Sequence, residues 1–150
     1  MNVSSIMNPN PTTLPMAETF GGALRMMREQ RIRMLPVVDT EGVYRGTFDL
    51  ADIWKMLLPK AVLLGMDSLK DLSFVSDAKE LLREKLSDAE ERPVSEFLDF
   101  TCSPLHPDTP VKEAMLLFYQ HEGGDIPVVE RKTNRLVGIL SPWEILDALR

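Results

Sequence analysis

Apolar side chains recur along the chain at helical spacing, and the same run occurs twice. The first run is Phe20, Ala23, Leu24 and Met27, which follows the i, i+3, i+4, i+7 pattern of a buried helix face. A shift of 91 positions carries this run onto Val111, Ala114, Met115 and Phe118. The same shift superimposes Val3 on Val94, Leu14 on Leu105, and residues 36–38 on 127–129. The chain therefore predicts two repeats of one folding unit.

Two short β patterns follow the first helix in each half. Residues 35–38 and 43–48 flank a hairpin turn at 39–42, and residues 126–129 and 136–140 flank a longer polar loop. A second helix follows, with its apolar face at Ile53, Met56 and Leu57 and then at Ile145, Ala148 and Leu149. Extended pieces near 11–14 and 102–105 precede the first helices. The pattern in each half therefore predicts the element order strand, helix, strand, strand, helix.

Residues 59–92 belong to neither repeat. Pro59 ends the preceding helix, and Asp77 and Glu80 resemble a capping box. The spacing of the apolar residues that follow predicts a helix over 77–90, with Leu81, Leu82 and Leu86 facing the body of the protein or a second copy in a dimer. We expect a first repeat at 1–58, a helical linker at 59–92 and a second repeat at 93–150.

Charge and composition exclude several classes of protein. In 150 residues, 17 Lys and Arg against 23 Asp and Glu give a net charge of −6, so we expect no nucleic-acid partner. Cys102 is the single cysteine, which excludes a disulfide framework. No apolar run approaches the roughly 20 residues of a membrane span, and the N-terminal residues lack a signal-peptide pattern. We expect a cytoplasmic protein with no membrane partner.

Two motifs resemble those of a known family. Residues 34–39 read MLPVVD and precede GTFDLAD at 46–52, while residues 125–129 read DIPVV and precede GILSPWE at 138–144. Together with PDTPV at 107–111, they resemble the CBS domain, the module named after cystathionine β-synthase, which occurs in tandem pairs. The resemblance implies an α/β fold (α+β in some schemes), with two β-α-β-β-α repeats packed face to face in pseudo-two-fold symmetry and a helical linker between them.

The resemblance also implies a regulatory ligand-binding function. CBS pairs bind adenosine-containing ligands in clefts between the repeats, here AMP, ADP, ATP or S-adenosylmethionine as regulators, with no cofactor required. In the family, a Ser or Thr and an Asp three residues later hold the ribose hydroxyls. Asp49 and Asp52 occupy these positions in the first half, and Ser141 and Glu144 in the second. The resemblance places the adenine in a slot lined by Pro36, Val37, Pro127, Val128, Thr12, Thr13, Cys102 and Ser103.

Neither half matches the family pattern in full. Asp49 adds a second carboxylate where phosphates approach, and Glu144 is longer than Asp by one methylene. We therefore expect the cleft at Ser141 and Glu144 to hold an adenosine ligand in preference to the cleft at Asp49 and Asp52. The same residues also fit helix N-caps, which need no ligand. On that alternative the chain is a degenerate CBS pair that serves as a structural dimerisation module and binds no small molecule.

Metal binding and catalysis have weaker support in the sequence. His106, Asp108, His121 and Glu122 lack the spacing of a metal site, and no nucleophile has a partnered base. We expect no metal, no catalytic residue and no enzyme activity. The second helix carries apolar residues on more than one side, namely Trp54, Met56, Leu57 and Leu58. We therefore expect a homodimer, which regulates either through dimerisation itself or through a separate partner protein.

Overall fold

The computed structural model describes residues 1–58, 79–100, 103–120 and 124–150. The elements of the first half are β1 (Leu14–Pro15), α1 (Phe20–Gln30), β2 (Met34–Val38), β3 (Tyr44–Asp49) and α2 (Leu50–Leu57). A linker helix, α3 (Lys79–Glu90), follows. The second half contains α4 (Val111–Gln120), β4 (Ile126–Val129), β5 (Leu136–Leu140) and α5 (Pro142–Ala148).

The first half is a three-stranded sheet covered by helices. β1 pairs in parallel with β2, and β2 pairs antiparallel with β3. The hairpin turn forms because the Asp39 carboxylate accepts the N–H groups of Glu41 and Val43, and because Gly42 adopts a φ of +81°. Thr19 caps α1 by accepting the N–H of Gly22 at 3.0 Å. The predicted apolar face of α1 then packs into the core beneath it.

The second half repeats this arrangement. β4 and β5 form an antiparallel pair, and Leu105 bridges to Val128 in parallel, as β1 does to β2. Val111, Ala114 and Phe118 of α4 are buried in a second core together with Ile145 of α5. The tandem repeat and the mixed helix and sheet fold predicted from the sequence are confirmed.

The core of each half contains a residue from a segment that lies next to the other half in the sequence. Val3, in a short 3-10 helix, is fully buried in the second core beside Leu105. Its counterpart Val94 is fully buried in the first core, although it follows the linker. Beyond these residues, Asn8 pairs with Ile139 of β5 and Asp99 pairs with Thr47 of β3. We call residues 1–13 and 93–100 the crossing segments, and they interlock the two halves.

The linker helix covers the first half alone. Ala89 and Leu86 of α3 pack against the first core and contact α1 and α2. Leu86 therefore faces the body of the protein as predicted, Leu82 is half-buried, and Leu81 is 53% exposed on the single chain. Asp77 and Pro59, on which the expected start of the linker depended, lie outside the described residues.

One prediction about an apolar face is corrected by the position of α3. The pattern predicts Met115 in the core as the counterpart of Leu24, but Met115 is 47% exposed because no described helix covers α4 as α3 covers α1. On α2, Met56 and Leu57 pack against the first core together with Ile53, as the spacing predicts, and Trp54 is 57% exposed. Most of the large apolar side chains that are exposed among the described residues therefore belong to the second half.

Candidate functional site

Each half places an acidic side chain at the start of the helix that follows its hairpin. In the first half, Asp49 ends β3 and caps α2, and its Oδ1 accepts the N–H of Ala51 at 2.8 Å. Asp52 completes the capping box, because its Oδ2 accepts the N–H of Asp49 at 3.2 Å. The other oxygen of Asp52 lies 3.7 Å from Nζ of Lys55. Both carboxylates are therefore already engaged within the helix start.

The second half builds the same capping box with different groups. Ser141 caps α5, and Oε2 of Glu144 accepts both the Ser141 N–H, at 2.7 Å, and the Ser141 hydroxyl. Oε1 of Glu144 has no hydrogen-bond or ion-pair partner within the described ranges of the chain. The interpretation of Asp49 and Ser141 as helix caps is confirmed in both halves. Among the residues that the structure describes, the second half thus leaves one carboxylate oxygen of its capping box without a partner.

The crossing segments bring further groups to both helix starts. Asp99 lies beside β3, where it pairs with Thr47, and its carboxylate is close enough to Asp52 to influence its charge. Asn8 takes the equivalent place beside β5, and its Oδ1 accepts the N–H of Asn10 at 3.0 Å. A carboxylate in the first half thus corresponds to a neutral amide in the second.

Burial and charge perturb the acids of the two sites differently. Desolvation, reinforced by the neighbouring carboxylates of Asp99 and Asp49, raises the pKa of Asp52 to about 6, although the Asp49 N–H and Lys55 oppose the shift. In the second half, desolvation and the Glu144 carboxylate raise the pKa of Asp125. Phosphate oxygens would meet three carboxylates at the first site and two at the second.

A cavity of about 370 Å³ opens where the two hairpins meet. Asn134 joins the hairpins by accepting the Tyr44 N–H at 2.9 Å, and Leu136 donates its N–H to Gly42 at 3.1 Å. The cavity is lined by Pro9, Asn10, Pro11, Thr13, Val38, Gly42 and Leu136. Leu136 begins β5 and Ser141 follows its end, so the cavity lies about 16 Å along the strand from the helix start. Residues of the first crossing segment line this cavity and also pair with β5, but Ser141 and Glu144 do not line the cavity.

The other predicted site residues lie in several environments. Pro36, Val37, Pro127 and Val128 are buried, with Val37 and Val128 inside the two cores. Thr13 lines the cavity between the hairpins, while the Thr12 hydroxyl donates to Gln30 at 3.0 Å on the surface. Ser103 is exposed, and Cys102 lies outside the described residues.

The residues that the sequence analysis missed belong to the crossing segments. Asn8 and Asp99 pair with the strands that lead into the two helix starts, and Val38 rather than Val37 lines the cavity between the hairpins. The 91-residue shift already superimposes Asn8 on Asp99. The repeated valines Val3 and Val94 indicate that both segments contribute to a core. No local pattern indicates which half each segment packs against.

Metal binding gains no support from the structure. Among the described residues, no group of three or more His, Cys, Asp and Glu side chains converges as a metal site. His106 instead makes a 2.9 Å hydrogen bond between its Nδ1 and the carbonyl of Val129. Its neighbour Asp108 binds Arg131 at 2.8 Å. His121 and Glu122, the other two candidate ligands, lie outside the described residues. No helix in the described ranges is long and apolar enough to cross a membrane.

Both repeats match the model of one known family. The family model of the CBS domain matches residues 3–53 and 102–150, which is more than half of the chain. The two matched stretches correspond to the two halves of the fold, each with its helix start and capping box.

Several solved structures share this fold. CBSX2 in complex with AMP is 17% identical, with a TM-score of 0.70 and coverage of 99% of this chain and 95% of that one. The CBS domain pair of protein MJ0100, in complex with 5′-methylthioadenosine and S-adenosyl-L-methionine, is 20% identical, with a TM-score of 0.64 and coverage of 99% and 95%. Protein MJ1225 from Methanocaldococcus jannaschii is 24% identical, with a TM-score of 0.74, and 50% of its length is covered by 99% of this chain. At these identities the likeness shows the fold alone.

Proposed function

Because the chain belongs to the CBS domain family, we propose that it is a regulatory module that binds an adenosine-containing nucleotide at Ser141 and Glu144. The ligand classes that fit are AMP, ADP, ATP and S-adenosylmethionine. The module carries out no chemistry on its ligand, and its bound state is transmitted to a separate partner protein. The complexes of CBSX2 and of MJ0100 with adenosine compounds support this class of ligand.

The free oxygen of Glu144 is the observation that carries the proposal. Glu144 is half-buried at the start of α5, and Ser141 engages only its Oε2. Oε1 can accept a ribose hydroxyl in a charge-assisted hydrogen bond, while the capping box fixes the orientation of the carboxylate. Trp143 stands between these two residues and is 68% exposed, which leaves an aromatic face available beside the site.

Electrostatics favour the second half over the first. At the first helix start, Asp49, Asp52 and Asp99 would all face a phosphate, and Lys55 occupies the free oxygen of Asp52. At the second, Asn8 replaces Asp99, although Asp125 adds a carboxyl near Glu144. The smaller number of carboxyl groups, two rather than three, and the Oε1 oxygen without a partner among the described residues support the ranking made from the sequence.

A thermal-shift panel of AMP, ADP, ATP, S-adenosylmethionine and NAD tests the proposed class of ligand. A ligand present at 100 times its Kd stabilises the folded state by about 2.7 kcal/mol, which for a chain of this size raises Tm by about 5 to 10 °C. Fluorescence of Trp143 in a Trp54→Phe background provides a second readout. No shift and no fluorescence change with any of the five compounds would contradict the proposal.

A structural dimerisation module is the second candidate function, and one observation favours it. α4, α5 and the residue that follows α5 expose several large apolar side chains in the half that α3 leaves uncovered. The set comprises Met115, Leu116, Tyr119, Leu146 and Leu149. Large exposed apolar patches mark interaction sites, and a second copy of the chain is the partner we propose for this one. Ligand binding and dimerisation are compatible, since the two surfaces use different residues.

A further inference from the structure

A second cavity, of about 450 Å³, lies in the first half. It is situated between the C-terminal end of α1 and the first residue of α2. Its apolar lining consists of Leu24, Met27, Ile32 and Leu50. Its volume falls in the range of small-molecule sites, and its lining has no residue in common with the cavity between the hairpins.

Three arginines surround this apolar floor: Arg28, Arg31 and Arg33. No acidic side chain contributes to the lining. None of the three guanidinium groups forms an ion pair with any residue that the structure describes, whereas Arg45, Arg83, Arg92 and Arg131 are all paired. In a chain of net charge −6, three unpaired cations around one cavity form a local field of the opposite sign.

The fold itself does not require these arginines. The 91-residue shift places Tyr119, Glu122 and Gly124 at the positions equivalent to Arg28, Arg31 and Arg33. Arg28 lies in the last turn of α1, where a cation complements the helix dipole, but that role needs only one basic residue.

The backbone also holds the loop of the cavity in place. Arg31 adopts a left-handed conformation (φ 56°, ψ 42°) where glycine is the favoured residue, and its N–H donates to the carbonyl of Met27. Arg33 accepts the N–H of Leu50 at 3.0 Å, which ties the loop to the start of α2. The guanidinium groups therefore extend from fixed backbone positions.

We propose that this cavity binds a small organic carboxylate with an apolar body. Leu24, Met27, Ile32 and Leu50 would bury the body of the ligand, and guanidinium groups would bind its carboxylate through paired N–H donors. An apolar floor with charged groups at its rim discriminates against neutral apolar molecules and against short acids alike. This site is independent of the proposed nucleotide site.

Calorimetric titration with decanoate below its micellar concentration tests the proposal, with decanol and acetate as companion probes. Decanoate should bind one molecule per chain, at least tenfold more tightly than decanol, and acetate should give no measurable binding. Arg28→Gln and Arg33→Gln should each weaken decanoate binding about tenfold or more, because each removes a charge-assisted hydrogen bond.

Arg25→Gln is the matched control, because Arg25 is an exposed arginine of the same helix that does not line the cavity. It should leave decanoate binding within about twofold of the wild type, as should Glu144→Gln at the nucleotide site. Circular dichroism confirms that each variant is folded. Absence of decanoate binding, equal binding of decanol, or equal weakening by Arg25→Gln would each overturn the proposal.

Discussion

At the scale of single residues, one carboxyl group in the first half carries an unfavourable charge. Asp52 is largely buried, with only 14% of its side chain exposed, and it lies near the carboxylates of Asp49 and Asp99. Its pKa is raised from 3.8 to about 6, since burial and like charges both disfavour the ionised form. The cap that it forms therefore costs stability at neutral pH.

The contribution of Asp52 to the stability of the protein should fall as the pH rises through this pKa. Between about pH 4 and pH 6 the folded state binds more protons at Asp52 than the unfolded state, so the free energy of unfolding decreases with pH and stays low above pH 6. Asp52→Asn is neutral at every pH and keeps an oxygen that accepts the Asp49 N–H. We expect it to increase the free energy of unfolding at pH 7.5 by about 1–3 kcal/mol.

Urea denaturation at pH 4, 6 and 7.5 measures this effect. Asp108→Asn is the contrasting variant, because the hydrogen bond from Arg131 lowers the pKa of Asp108 and its loss should bring no gain at pH 7.5. Two results together would contradict this account: a wild-type free energy of unfolding that increases from pH 4 to pH 6, and an Asp52→Asn variant no more stable than the wild type at pH 7.5. They would show that the charge on Asp52 does not destabilise the folded state.

Gly138 is a second position where one residue controls a larger contact. A Cβ at this position would lie 2.6 Å from the sulfur of Met7 and 2.9 Å from the carbonyl oxygen of Asn8. Met7 can move, but the backbone of the crossing segment is held by its pairing with Ile139. Gly138→Ala should therefore decrease the free energy of unfolding by about 1–3 kcal/mol.

Gly124→Ala is the control for this substitution, since a Cβ there meets nothing within 4 Å. It should leave stability unchanged or raise it by a few tenths of a kcal/mol through the unfolded state. Thermal unfolding of both variants compares them directly. Equal stability of Gly138→Ala and Gly124→Ala would show that the crossing segment yields freely at β5.

At the scale of the elements, each core contains a buried valine from the opposite side of the linker in the sequence. Val3 packs in the second core and Val94 in the first, each with no exposed surface. Neither core is complete without residues from the other side of the linker. The two repeats should therefore unfold together, although each resembles a unit that could fold alone.

Val3→Ala tests this coupling. Removing two methyl groups from the second core should decrease the free energy of unfolding by about 1.5–3 kcal/mol, with one unfolding transition for the whole chain. Ser4→Ala, on an exposed neighbour, should change it by less than about 0.5 kcal/mol. Two separate transitions, monitored by far-UV circular dichroism and by tryptophan fluorescence, would mean that the halves are independent.

The elements themselves follow closely from local pattern. β4 and β5 begin and end where the sequence predicts, and α1 begins at Phe20, because alternation, turn residues and helix caps are local signals. The capping boxes were equally accessible, since Ser141 and Glu144 are three residues apart. What could not be predicted depends on contacts between distant residues, such as the approach of Asp99 to Asp52 or the covering of Leu24 by α3. Spacing along the chain carries no information about these distances.

At the scale of the whole molecule, the two halves differ most in what covers them. α3 packs on the helices of the first half, whereas Tyr119 is 85% exposed and Leu116 is 56% exposed on the second. We expect two copies of the chain to pack through α4 and α5, with a mass in solution of twice 17.0 kDa. The double variant Leu116→Glu, Tyr119→Glu places charges in that contact and should give a folded monomer.

Leu81→Glu is the matched control for dimerisation, because Leu81 is 53% exposed on α3, outside the proposed contact. It should remain a dimer at micromolar concentration by light scattering. A wild-type protein of 17.0 kDa under these conditions would reject the dimer, and dissociation caused by Leu81→Glu would place the contact on the first half instead.

Calorimetric titration of the nucleotide that gives the largest thermal shift, into wild type, Glu144→Gln and Asp52→Asn, tests the central claim most directly. Glu144→Gln keeps the size of the side chain but removes the charge that binds the ribose, so it should weaken binding about tenfold or more. Asp52→Asn should leave the Kd within about threefold of the wild type. If Asp52→Asn weakens binding while Glu144→Gln does not, or if no adenosine compound binds the wild type at millimolar concentration, the account of the second-half site is wrong.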